Sequence, residues 1–192
     1  MISDVLRFLK DRLNKALPRE NATAPAEDLF VYAGSGKDDA VAFKSDAVSV
    51  LLVKIEEETA LRAPDPYRRI TAAGVPQRID PDIRMNLYVL FVARCADDYG
   101  RSLAYLSRVI RYFQGNRIFN HTNSPELGAD ISQISLELVT PSFSEQNEIW
   151  GTLRTGYLPS AMYKVRMIVF TEEGEALVQV KEVSHKTVQI PP

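Results

Sequence analysis

Apolar and polar positions along the chain fall into two periods, one helical and one of strict alternation. Ile2, Val5, Leu6, Leu9, Leu13 and Leu17 recur at helical spacing, Ser3 or Asp4 can cap the run, and Pro18 ends it. They predict an amphipathic helix over 2–17, which either packs on its own domain or serves as a partner or membrane helix. A polar linker over 18–28 leads to a short strand at 29–32 and a flexible turn at 34–37. Residues 47–55 are apolar and β-branched with few breaks, too solid for an exposed edge, and predict a central strand. Residues 87–93, LYVLFVA, predict a strand buried on both faces. In 134–138, Ile134, Leu136 and Leu138 alternate with Ser135 and Glu137, the pattern of a half-buried strand. From 161 to 170 the odd positions Ala161, Tyr163, Val165, Met167 and Val169 are apolar while Lys164 and Arg166 interrupt the even ones. This predicts a long strand with one buried face.

Two further helices complete the reading. Over 98–114, Tyr99, Leu103, Leu106, Val109, Ile110 and Phe113 form one apolar stripe, and Arg101, Tyr105, Arg108 and Tyr112 form the opposite face. Those four are either two tyrosines shielding the helix with two solvated arginines, or an Arg/Tyr contact surface of the kind enriched at protein interfaces. Ser142 and Glu145 have the spacing of a capping box, and they open a short helix over 144–154 that carries the single tryptophan, Trp150. Gly156 suits the left-handed position after that helix, and Pro159 blocks any return to helix. Trp150, Tyr157, Pro159 and Tyr163 are therefore expected to form a core corner against the 161–170 strand. Between the strands, 59–85 holds four prolines and five arginines, among them Arg62, Arg68 and Arg69. It reads either as a surface insertion or as a basic loop that docks on a partner. Residues 171–192 are expected to form a C-terminal hairpin or an arm that pairs with another chain. The whole is an α+β fold: one domain over 1–170, with a mixed, mainly antiparallel sheet of four to six strands flanked by helices.

Composition changes this picture little. An apolar content of 45% over 192 residues supports a real core, and a net charge of −2 gives no global attraction to nucleic acid or an anionic membrane. The lone Cys95 fits a reducing compartment, and no apolar run is long enough to span a bilayer. The expectation is a soluble protein made in the cytoplasm. Only His121 and His185 occur, at no ligand-like spacing to each other or to Cys95. Gly34-Ser35-Gly36-Lys37 lacks the GxxxxGK[ST] spacing of a phosphate loop. No catalytic set, cofactor-binding set or metal site is expected.

Four stretches carry a likeness: NLYVLFVA at 86–93 followed by Tyr99, the helix ending YFQ at 112–114, FSEQNEIWGTL at 143–153, and YLPSAMYKVRM at 157–167. Together with ISDVLRFL at the N-terminus and LLVKIEEE at 51–58, the chain resembles the cap, or tail-terminator, proteins of extracellular contractile injection systems. These are the proteins of antifeeding-prophage and Photorhabdus-virulence-cassette type particles. The resemblance reaches Phe170 and implies structural work. The chain is expected to form a homo-hexameric ring that binds the inner tube protein and the sheath protein at the distal end and stops their polymerisation. It further implies assembly in the bacterial cytoplasm, no nucleic-acid partner and no membrane insertion. A length-control or assembly factor absent from the finished particle remains an alternative. So does a small-molecule-binding domain with a pocket lined by Arg62, Arg68 or His121.

Overall fold

A computed structural model describes residues 1–19, 27–36, 40–58, 68–70, 76–78 and 83–169. The expected N-terminal helix is α1, Ile2–Ala16. Strand β1, Phe30–Tyr32, follows, then a two-stranded ladder of β2, Gly34–Ser35, and β3, Val41–Ala42. The turn expected at 34–37 therefore begins as a strand. Next come β4, Ala47–Glu57, then a separate hairpin of β5, Arg68–Ile70, and β6, Pro76–Arg78. The 59–85 stretch is thus not wholly irregular, and its last residues already belong to β7, Ile83–Arg94. Helix α2, Tyr99–Gly115, leads to β8, Ile118–Asn120, and β9, Ile131–Val139. Helix α3, Phe143–Thr152, and β10, Ser160–Val169, complete the described chain. The expected C-terminal hairpin or arm over 171–192, Arg62 and His185 lie outside the described residues.

Six strands form the main sheet in the order β1-β4-β7-β10-β9-β8. Only β1 runs parallel to its neighbour; every other pairing is antiparallel. This is the mixed, mainly antiparallel α+β architecture expected from the two periods. The strand after α3, β10, lies between β7 and β9, with Tyr163 opposite Val89 on one side and Leu138 on the other.

Strand alternation divides the buried side chains between two faces. On one, Leu87, Val89, Phe91 and Ala93 of β7 and Tyr163, Val165 and Met167 of β10 meet Val5, Leu9 and Leu13 of α1 and Leu106, Val109 and Phe113 of α2. On the other, Leu90, Val92 and Met162 meet Phe43 and Trp150 of α3. The sheet unit comprises Met1–Arg62 and Asp82–Phe170, and the β5–β6 hairpin belongs to a second unit.

Candidate functional site

The face of α2 nominated from spacing is partly engaged by the chain itself. Tyr105 is only 7% exposed and sits in the core with Leu106 and Val109. The Arg101 guanidinium pairs with Asp46 at the turn before β4. Arg108 donates through Nη2 to the Pro18 carbonyl at 3.0 Å, tying α2 to the end of α1. Arg12 of α1 donates through Nε to the Tyr112 hydroxyl at 3.0 Å and through Nη1 to Glu126 at 2.9 Å. Of these four, Tyr105 is buried and so faces the core, Arg108 and Tyr112 are half-buried in contacts with α1 and the residues after it, and Arg101 stays exposed beside Asp46. The reason is geometric: the apolar stripe of α2 is wider than the sheet can cover, and the neighbouring α1 draws in the edge that carries Tyr105.

The opposite edge of the stripe is left open. Tyr99, Leu103 and Ile110, expected in the core, are exposed. Beside them, Ile118 of β8 and Leu138 of β9 are exposed too. Ile110, Ile118, Leu138, Tyr163, Arg117 and Arg166 line a groove of about 700 Å³ between α2 and the β8–β9 edge. Arg166 is held by Glu137 at 3.0 Å. Burial pushes the Tyr163 hydroxyl up to about 12, because ionisation would place a charge among apolar groups.

At the other end of β9, Ser142 Oγ accepts from the Glu145 amide at 3.3 Å and the Ser142 amide donates to Glu145 Oε2 at 2.8 Å. The capping box read from the sequence is formed, and that amide, with the Ser142 hydroxyl, holds the Glu145 carboxyl below the usual carboxylate range. It places Phe143 at the first helical position, where the residue is 93% exposed. Neither period analysis nor composition singles out Phe143. Its only signal is an aromatic residue in the otherwise polar opening of a helix, SFSEQNE.

Trp150 is 6% exposed, with its ring 6.0 Å from Phe43 and 5.5 Å from Tyr157. Pro159 and Tyr163 are buried as expected. Tyr157 is not: at 58% exposure it lies edge-on over the tryptophan as a lid on the corner. The turn also differs from the expectation at Gly156. Helix α3 ends at Thr152, and Arg154, with φ of 53°, takes the left-handed position. Phe143, Trp150, Arg154 and Tyr157 border a cleft of about 650 Å³.

On the sheet surface beside α3, Lys54 and Lys164 flank the Tyr88 ring at 5.3 and 5.8 Å, and the Tyr88 hydroxyl donates to Glu56 at 2.9 Å. These contacts form a mixed-charge belt. Cys95 is buried and its amide donates to Ser102 Oγ at 3.0 Å. His121 is exposed in the turn after β8 and borders none of the clefts above. Among the described residues no group of three or more His, Cys, Asp or Glu could hold a metal ion, and no helix is long and apolar enough to cross a membrane. Arg68 and Arg69 lie on β5 of the separate hairpin.

Residues 4–179 match the Pvc16 N-terminal domain family. The chain belongs to that family. Its fold is similar to that of the sheath/tube terminator of the PVC extracellular contractile injection system in its extended state. There the TM-score is 0.62 and the identity 18%, over 100% of this chain and 64% of that one. It is also similar to the tube-terminating cap of the anti-feeding prophage, with a TM-score of 0.53 and 19% identity over 97% of this chain and 62% of that one. The chain therefore spans less than two thirds of the length of either protein, and the likeness at these identities is one of fold. No curated protein sequence matches the chain.

Proposed function

We propose that the protein is a structural cap that ends polymerisation of the tube and sheath of a phage-tail-like contractile injection system. Membership of the Pvc16 N-terminal domain family over residues 4–179 is the observation that carries this reading. The fold likeness to a sheath/tube terminator and to a tube-terminating cap supports it. The surface is suited to binding macromolecules: it offers shallow apolar grooves and an exposed aromatic knob. In this reading copies of the chain form a closed ring, six-membered by the sequence resemblance, seated on the end of the inner tube. Arg62 and the hairpin residues Arg68 and Arg69 supply positive charge to the contact with tube or sheath. Assembly takes place in the bacterial cytoplasm, and the protein stays on the finished particle.

The test is to add purified protein to tube and sheath subunits during assembly and to measure particle length and composition. A cap shortens the length distribution as its concentration rises, decorates one end in electron micrographs, and co-sediments with intact particles. Unchanged lengths with bare ends would overturn the reading. Shortened lengths without retention on the particle would mark a length-control factor instead.

A further inference from the structure

The outermost strands of an open sheet each have one side without a strand partner, and such a side is a template for another chain. We propose that Asn14 and Asn123 block these two sides and so stop a second copy of this chain from adding a strand to the sheet. The inference goes beyond the proposed function and stands or falls separately from it.

At one edge, β1 binds β4 through the Leu29 carbonyl, which accepts from the Val48 amide at 2.8 Å, and the Ala33 amide, which donates to the Val50 carbonyl at 3.3 Å. The Phe30 amide and carbonyl therefore point to the outer side, because backbone groups alternate along a strand. Asn14 of α1 meets both. The Phe30 amide donates to Asn14 Oδ1 at 2.8 Å, and Asn14 Nδ2 donates to the Phe30 carbonyl at 2.9 Å. One helical turn earlier, Lys10 Nζ lies 5.8 Å from the centre of the Tyr32 ring, so α1 runs beside the strand.

At the other edge, the Leu136 amide donates to the Arg117 carbonyl at 2.8 Å and Phe119 lies opposite Ile134. Residues 117 and 119 thus face β9, and Ile118 and Asn120 point their backbone groups away from it. The turn after β8 swings Asn123 back onto them. The Asn120 amide donates to Asn123 Oδ1 at 2.9 Å, and Asn123 Nδ2 donates to the Ile118 carbonyl at 2.9 Å.

A carboxamide carries the same donor and acceptor as a peptide unit, so one asparagine substitutes for the strand that would otherwise pair there. The same chemistry at both ends of one sheet, from a helix in one case and a turn in the other, is what points to exclusion of a further strand. The excluded strand is that of a second copy, since identical chains carry identical edges and meet about two-fold axes. The stretches that β1 and β8 do not reach are guarded in other ways. Past β1, β4 carries a bulge between Leu52 and Lys54 and the charges of Lys54, Glu56 and Glu57; past β8, β9 runs only to Val139 before Pro141. Bulges, charges and prolines each disfavour a further strand.

The experiment uses the full chain with Asn123→Ala, Asn14→Ala and both together, read by sedimentation velocity over a concentration series and by amide hydrogen exchange. Ser142→Ala, which weakens α3 away from both edges, is the control for lost stability. The wild type is expected to reach one limiting size as concentration rises. The double variant is expected to pass that size, its sedimentation coefficient still climbing at the highest concentration. Asn123→Ala alone is expected to associate through β8, and Asn14→Ala less readily, because α1 still covers β1. In Asn123→Ala the Asn120 amide is expected to exchange fast when dilute and to slow as association proceeds.

Variants that keep the wild-type limiting size overturn the proposal. So does growth that Ser142→Ala matches, which would trace association to lost stability, and so does growth that leaves the Asn120 amide exchanging fast, which would trace it to side chains. If the double variant fails to fold, Asn123→Ala carries the test by itself, since Asn123 lies in an exposed turn. Growth as expected from a chain whose wild type has no effect on tube length would remove the capping function and leave the edge blocks intact.

Discussion

Trp150 and Tyr157 occupy adjacent places at one corner and do different work. The indole fills the space between α3 and the sheet, whereas the phenol ring covers it from the solvent side. Replacing Trp150 with alanine is expected to cost ~3–5 kcal/mol in denaturant unfolding, as large aromatic deletions do. Tyr157→Ala should cost well under half of that. Tyr163 makes a second prediction. Its pKa is raised in the folded chain to about 12, from an ordinary 10.0. The unfolded state therefore loses its proton first as pH rises. The associated stability is complete below about pH 10 and is lost progressively toward pH 12. Tyr163→Phe should match the wild type near pH 8 and retain more of its stability in melts at pH 11. Side-chain burial was legible from the sequence where alternation was strict, as for Tyr163 and Val165 in β10. It was not legible for Tyr105 or Leu103. Both belong to one broad apolar arc on α2, and spacing alone does not say which edge of that arc a neighbouring helix will claim.

Among the elements, α3 is held by its cap more than by length. Ser142→Ala removes the side-chain acceptor of the Glu145 amide. It should cost ~1 kcal/mol and speed hydrogen exchange across the first turn of α3. The α1–α2 clamp is testable as a unit. Arg12→Ala and Tyr112→Phe both break the bond between Arg12 Nε and the Tyr112 hydroxyl. Their combined cost should fall short of the sum by ~0.5–1 kcal/mol in a double-mutant cycle. The long periodic elements, α1, β4, β7, α2 and β10, were readable because many residues vote for each. The two- and three-residue strands β2, β3, β5 and β6 were not, because so short a pairing leaves no period. Their formation depends on the partner strand lying opposite, which local composition does not encode.

For the whole molecule, folding and assembly should separate under mutation. Reversing Arg68 and Arg69 on β5 to glutamate should leave melting of the sheet unit unchanged, since they lie on the separate hairpin. Under the proposed function, the same change should weaken tube-end binding in a salt-dependent manner, which pelting with purified tubes at rising ionic strength would measure. Arg101 and Arg108 should behave the other way. Their reversal removes the Asp46 and Pro18 contacts and should lower melting before any assembly is tested.

The position of β10 sets when this fold can form during synthesis. Among the described residues it follows every other strand of the main sheet in the chain, yet it occupies an interior place, bonded along its length to β7 and β9. Until residue 169 has left the ribosome, the two halves of the sheet have no strand to join them, and the apolar edges of β7 and β9 stand open. Folding of the sheet therefore waits for β10 and is dominated by distant pairings, which are slow to find. A nascent chain stalled before Ser160 presents two unpaired edges at once. It is a natural client for a holdase, and a fragment ending there is expected to be recovered in inclusion bodies.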